Sequence, residues 1–133
     1  MKKASQILLL VGAILSFVLA CLYFVYGVVF IVAGALGGSH ISELLAKLGV
    51  DLSQYGITEE QLAAAALAIG ICAGVFCIVW AALAIANGAI ALLGKKKQTK
   101  VFYILNAVFG TISGTIVNGV GGVFGMFTLP KNE

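Results

Sequence analysis

ILNAVFGTISGTIVNGVGGVFGMF, residues Ile104 to Phe127, is the stretch on which the fold turns. It is uncharged and mostly apolar, yet glycine, asparagine, serine and threonine interrupt it throughout. The uncharged run around it, Val101 to Pro130, holds 30 residues. One helical crossing of a bilayer needs ~20 residues and two need ~40. A single crossing over about residues 101–128 is therefore expected, broken or kinked where Asn118-Gly119 and Gly121-Gly122 weaken the helix. A half-inserted return, with the C-terminus on the side where the run began, is the alternative.

The rest of the chain sets the same context. Of its 133 residues, 62% are hydrophobic and 10% are charged, which lies outside the range of soluble globular domains and makes lipid the expected solvent. Two further charge-free runs stand out, one from Ala4 to Ser42 with an apolar centre at Ile7 to Leu36, and one from Gln61 to Gly94. The expected fold is an all-α membrane protein, a single membrane domain over residues 1–133. It has three long transmembrane helices at about 5–37, 59–94 and 101–128, or four if the last segment is broken. An outer acidic segment (38–58) and a lysine link (95–100) join them.

Lysine placement gives the orientation. Lys2 and Lys3 precede the first run, and Lys95, Lys96, Lys97 and Lys100 separate the second from the third. Glu43, Asp51, Glu59 and Glu60 stand against Lys47 in the segment between the first two runs. The N-terminus and the lysine link are expected in the cytoplasm and the acidic segment outside. Lysines at the ends of apolar runs do not form a nucleic-acid surface. The beginning MKKASQILLLVGAILSFVLAC also has the form of a lipoprotein signal ending at Cys21. A cleaved signal has an apolar region of roughly 7 to 15 residues followed by polar sequence, whereas here LYFVYGVVFIVAGAL follows. Cys21 is expected inside an uncleaved helix.

The outer segment, SHISELLAKLGVDLSQYGITEEQ, reads as a short amphipathic helix, a turn and a capped helix start. Ile41, Leu44, Leu45 and Leu48 share one face, while Glu43 and Lys47 form an i,i+4 pair on the other. Thr58 and Gln61 have the spacing of a capping box, and Glu59 and Glu60 suit the positive end of the following helix. His40 is expected as a helix-start residue.

Small residues recur along the long runs. Gly70, Gly74, Cys77, Ala81, Ala84, Gly88 and Ala91 follow alternating steps of four and three, and Ala13, Ala20, Gly27 and Gly34 repeat every seven residues. In lipid, helices associate through intimate packing, which small residues permit, so these positions form a helix-packing seam between the first two helices. Asn106, Gly110, Gly114, Asn118 and Gly122 make a second stripe, expected to be partly free for self-association. Helices of this length span ~45 Å or more. They either tilt or project, with Tyr23, Tyr26 and Trp80 falling where an outer aromatic belt would lie.

The chemistry is sparse. No ionisable residue sits inside an apolar run, and nothing pairs a nucleophile with a base, so no catalytic residue, metal ligand or cofactor is expected. Cys21, Cys72 and Cys77 read as small apolar packing residues. Ser16, Asn87, Asn106, Thr111, Ser113, Thr115 and Asn118 can hydrogen-bond between helices, and Asn106, Ser113 and Asn118 are a candidate polar patch lining a water path or a small ligand.

The lysine start, the long first helix, the acidic outer segment, the LLGKKK end of the second helix and the glycine-rich last span resemble small multi-span integral membrane proteins of Gram-positive bacteria. That resemblance implies no agreed activity, and many such relatives are read with four spans. The expected function is a non-enzymatic envelope protein in the lipid bilayer, self-associating as a homo-oligomer or serving as a small subunit of a larger membrane complex. A holin-like pore or a small-solute transporter is the alternative.

Overall fold

Among the described residues, the helices follow the order α1 (Lys2–Lys47), α2 (Glu59–Lys97), α3 (Lys100–Ile112) and α4 (Ile116–Met126), with a 3-10 turn at Leu52–Tyr55 between the first two. The computed structural model describes residues 1–113 and 115–129. Both α1 and α2 are long and apolar enough to cross a membrane.

The end of α1 and both ends of α2 fall where the sequence supplies a device. At the end of α1, Gly49 adopts φ 76°, and the N–H groups of Gly49 and Val50 donate to the carbonyls of Ala46 and Leu45 at 3.1 and 3.0 Å. A left-handed glycine of this kind satisfies carbonyls left over by the last turn. The 3-10 turn starts at Asp51, whose carboxylate accepts from the Ser53 hydroxyl at 2.6 Å and the Ser53 N–H at 3.0 Å. These bonds hold the Asp51 carboxyl below its ordinary value of 3.8, the hydroxyl contributing most. Thr58 and Gln61 then cap α2 reciprocally: Thr58 N–H donates to Gln61 Oε1 at 3.1 Å, and Gln61 N–H to Thr58 Oγ1 at 3.2 Å. The last turn of α2 carries Lys95, Lys96 and Lys97, which complements its dipole. Gln98, at φ 51°, turns the chain into α3.

The chain divides into two compact units. One comprises residues 23–79, the paired parts of α1 and α2 and the turn between them. Its helices approach through glycine: a β-carbon on Gly34 would stand 2.8 Å from Gly70 Cα and 2.9 Å from Ala66 O, and one on Gly27 would stand 2.9 Å from Gly74 O. Gly38 fits against Ala63 in the same way. Contacts of this closeness leave no room for even a methyl group, so glycine sets the interhelical distance.

The other unit comprises residues 1–22 and 80–133. In it α3 and α4 pack antiparallel, Gly110 lying on the backbone of Gly119, Gly122 on Tyr103 O and Ala107 N, and Gly125 on the ring of Tyr103. Helix α4 lies along α1, where Ser5 Oγ donates to Gly121 O at 2.9 Å. Helix α3 is tied to α2 by Asn106 Nδ2, which donates to Ile90 O at 3.1 Å.

Four expectations need correction. The segment 101–128 is not one helix: the backbone leaves helical geometry at Ser113 and resumes at Ile116, so the break falls before Asn118-Gly119, and the two halves fold against each other because their glycine faces match. The amphipathic stretch at Ile41 to Leu48 is not a separate helix but the end of α1, which continues through Gly37 and Gly38. His40 is accordingly an exposed residue within α1 rather than at a helix start. Cys21 and Cys72 are exposed and only Cys77 is half-buried, so two of the three cysteines face outward.

Candidate functional site

The surface and the interior have exchanged their usual residues. Exposed positions include Ile7, Val18, Phe24, Val29, Ile69, Phe76, Val101 and Ile116, while Ser5, Ser16, Asn87, Asn106, Ser113, Thr115 and Asn118 are buried. The buried polar residues gather in the unit built from residues 1–22 and 80–133.

Ser16 is the hub. Its hydroxyl oxygen accepts from Asn87 Nδ2 at 3.1 Å and from Asn118 Nδ2 at 3.0 Å. Its hydroxyl hydrogen is directed to Gly12 O at 2.8 Å, with Thr115 Oγ1 as a longer acceptor at 3.2 Å. One hydroxyl thereby uses its donor and both lone pairs, and it joins α1, α2 and the start of α4. Thr115 precedes α4 as its N-cap residue but makes no side-chain cap bond. The hydroxyl faces Ser16 instead.

Helix α3 ends beside this hub with Ser113 buried and Thr111 exposed, each hydroxyl bonded to its own preceding turn. Ser113 Oγ donates to Phe109 O at 2.7 Å and Thr111 Oγ1 to Ala107 O at 2.6 Å. Back-bonding to the preceding turn is a known bend-promoting arrangement. Asn106 forms a second polar centre, its Nδ2 shared between Ile90 O and Phe102 O. Gly94 accommodates it, since a β-carbon there would meet Asn106 Nδ2 at 2.5 Å.

Three carbonyl oxygens, Oδ1 of Asn87, Asn106 and Asn118, are buried without a partner among the described residues. An unpartnered buried acceptor costs about 1–3 kcal/mol. The asparagines thus combine donor-side order with acceptor-side excess. Such groups can accept from water or hold a cation weakly; none can act as nucleophile or acid–base catalyst. Among the described residues no group of three or more His, Cys, Asp or Glu side chains gathers as a metal site.

The seam residues divide between the two units. Ala13, Ala20, Ala81, Ala84, Gly88 and Ala91 are buried in the hub's unit, and Gly88 meets the ring of Phe17. Gly27, Gly34, Gly70 and Gly74 are buried in the other unit, with Cys77 half-buried beside Gly27. The candidate patch of Asn106, Ser113 and Asn118 is not one site: no hydrogen bond joins these three, and only Asn118 belongs to the Ser16 hub. The second stripe faces inward, Gly110 and Gly122 being taken up within the α3–α4 hairpin; Gly114 lies outside the described residues. Gly12, Gly94 and Ser5 lie outside the stripes read from the sequence, although Gly12, Ser16 and Ala20 recur every four residues and that spacing points to Gly12.

No protein-family model matches this chain, and neither a curated protein nor a solved structure is significantly similar to it.

Proposed function

We propose that this chain is a non-enzymatic integral membrane protein of the bacterial envelope, with the N-terminus and the lysine link in the cytoplasm, acting as a self-associating protein or as a small subunit of a larger membrane complex. The observation that carries this reading is the exchange of interior and surface: asparagine and serine are buried while isoleucine, valine and phenylalanine cover the outside. Water would penalise such a surface, and lipid favours it.

On this reading α1 and α2 cross the bilayer, and the α3–α4 pair is a re-entrant hairpin. Thirteen and eleven residues give helices ~20 and ~16 Å long, short of the ~30 Å hydrocarbon core. Entering and leaving on the lysine side, the hairpin would return the C-terminus to the cytoplasm. Its non-helical tip would lie ~20 Å from the lysine end by the rise of α1 between Lys3 and Ser16. Irregular backbone at that depth is tolerated when protein surrounds it, and Ser16, Asn87 and Asn118 do so. Helices α1 and α2, of 46 and 39 residues, are ~69 and ~58 Å long. Both exceed the hydrocarbon core even when tilted by 40°, which leaves apolar surface for another protein chain to cover.

The pore or transport alternative draws on one specific observation, the unpartnered asparagine carbonyls beside a broken helix, since such breaks hold ions in transporters. Topology separates the readings first. In a chain with Cys21, Cys72 and Cys77 replaced, cysteines introduced at Ser53 and Lys97 should label from outside and inside respectively, and a reporter fused after the C-terminus should report the cytoplasm. An external reporter would sink the hairpin placement. Dye leakage from vesicles holding the purified protein would favour a pore over a packing subunit.

A further inference from the structure

We propose that the groove between the start of α1 and the end of α2 is a binding site for an anionic phospholipid, its phosphate held between Lys3 and Lys95. The proposal rests on the membrane reading and adds a ligand to it. A groove of about 250 Å³ is lined by Lys3, Gln6, Ile7, Leu10 and Lys95. Polar and apolar residues are ordered along it as in a lipid: two ammonium groups and an amide from neighbouring turns, then Ile7 and Leu10 one and two turns further along α1. A phosphodiester with an acyl chain has that same sequence of charge and hydrocarbon.

Charge supplies the second argument. Among the described residues of this unit there is no aspartate or glutamate, and the side chains of Lys3, Gln6 and Lys95 make no hydrogen bond or ion pair. Lys95 is nevertheless half-buried. Two ammonium groups flanking one groove, with no carboxylate beside them among the described residues, leave positive charge that an external anion neutralises. Lys97, by contrast, has its ammonium 5.3 Å from the ring centre of Phe102. Lysines from two helices around an apolar cleft form the type of pocket that recognises an anionic headgroup, each being worth about fivefold in preference near the surface.

The test uses the full chain released from nanodiscs of equal phosphatidylglycerol and phosphatidylcholine, with the retained lipids identified by native mass spectrometry. Wild-type protein should retain phosphatidylglycerol severalfold over phosphatidylcholine. The Lys3→Gln, Lys95→Gln pair should bring retention toward equality, Lys95→Arg should keep the preference, and Lys47→Gln should not alter it. Equal retention by wild type, or an undiminished preference in the double variant with normal helical circular dichroism, overturns the lipid site. Loss of the preference on adding millimolar inorganic phosphate assigns the groove to a free anion and also overturns it. A carbonate wash separates this failure from that of the membrane reading. Protein that stays with the membranes but shows no lipid preference refutes the groove alone, whereas protein released to the supernatant refutes both.

Discussion

Asn118 Oδ1 lies against the α-carbon of Gly12, occupying the place where a β-carbon would stand. Only glycine at residue 12 lets α4 approach α1 closely enough for the Asn118 amide to reach Ser16. The asparagine oxygen is thus held without a conventional donor, while its nitrogen donates one hydrogen bond to Ser16 Oγ.

Gly12→Val should therefore loosen the hairpin from α1. Overpacking of this kind costs about 1–3 kcal/mol, and Asn118 would lose its bond to Ser16 as well. Thermal unfolding in detergent should show a lower midpoint than wild type. Gly37→Ala provides the contrast, since a β-carbon there meets only Ile41 Cδ1 at an ordinary 3.6 Å and should leave the midpoint nearly unchanged. Equal midpoints for the two variants would contradict the account of Gly12.

Removing the hub should cost more than removing any one spoke. Ser16→Ala deletes the acceptor of Asn87 and Asn118 and the donor to Gly12 O, so about three bonds at ~0.6 kcal/mol each in a membrane give roughly 2 kcal/mol. Asn87→Leu removes one bond together with its unpartnered oxygen, and the two effects offset. Denaturation by sodium dodecyl sulfate in mixed micelles should rank Ser16→Ala well below Asn87→Leu, which should lie near wild type.

Much of this arrangement is written in local sequence, and the remainder is not. The capping pair Thr58 and Gln61, the lysine end of α2 and the glycine stop at Gly49 are read from neighbours within a few positions, because each acts on its own turn. The break at Ser113 to Thr115 is harder to place: Asn118-Gly119 looks weaker by propensity, yet it lies inside α4. Contacts of Gly119 with the Gly110 face, and of Asn118 with Ser16, more than 100 positions away, override that local weakness. The Ser16 hub has the same character, because its members come from three helices and share no spacing. The continuation of α1 through Gly37 and Gly38 follows from Gly38 meeting Ala63, which is a tertiary gain.

In the unit of residues 23–79, Gly34→Ala and Gly70→Ala should each push α1 and α2 apart. The obstructing atoms are backbone, Gly70 Cα at 2.8 Å for residue 34 and both Gly34 Cα and Phe30 O at 2.6 Å for residue 70, so no rotamer change can relieve the clash. Spin labels at exposed Ser39 and Ala64 should broaden or lengthen their distance distribution in either variant. An unchanged distribution would show that the interface is not set by these glycines.

The Asp51 turn should respond to acid. Its carboxyl is held below 3.8 by bonds present only in the folded turn, so its contribution is complete above that value and is lost as pH falls through the lower, folded value. Nuclear magnetic resonance of the Ser53 amide should follow this titration in the strongly acidic range. In Asp51→Asn the pH-dependent step should vanish.

Two threonines at helix starts should behave oppositely on substitution. Thr58 caps α2 through its hydroxyl, and loss of such a cap costs about 1 kcal/mol. Thr58→Val should speed hydrogen exchange at the Gln61 amide, which donates to that hydroxyl. Thr115 stands at the equivalent position before α4, but its hydroxyl contributes no cap bond and faces Ser16 instead. Thr115→Val should therefore leave exchange in the first turn of α4 unaltered, where Asn118 N–H bonds to the Thr115 carbonyl at 2.9 Å. It should cost only about 0.6 kcal/mol through the weak contact with Ser16. Fraying of α4 in Thr115→Val would mean that its hydroxyl serves the helix after all, and that the hub closes through Asn87 and Asn118 alone.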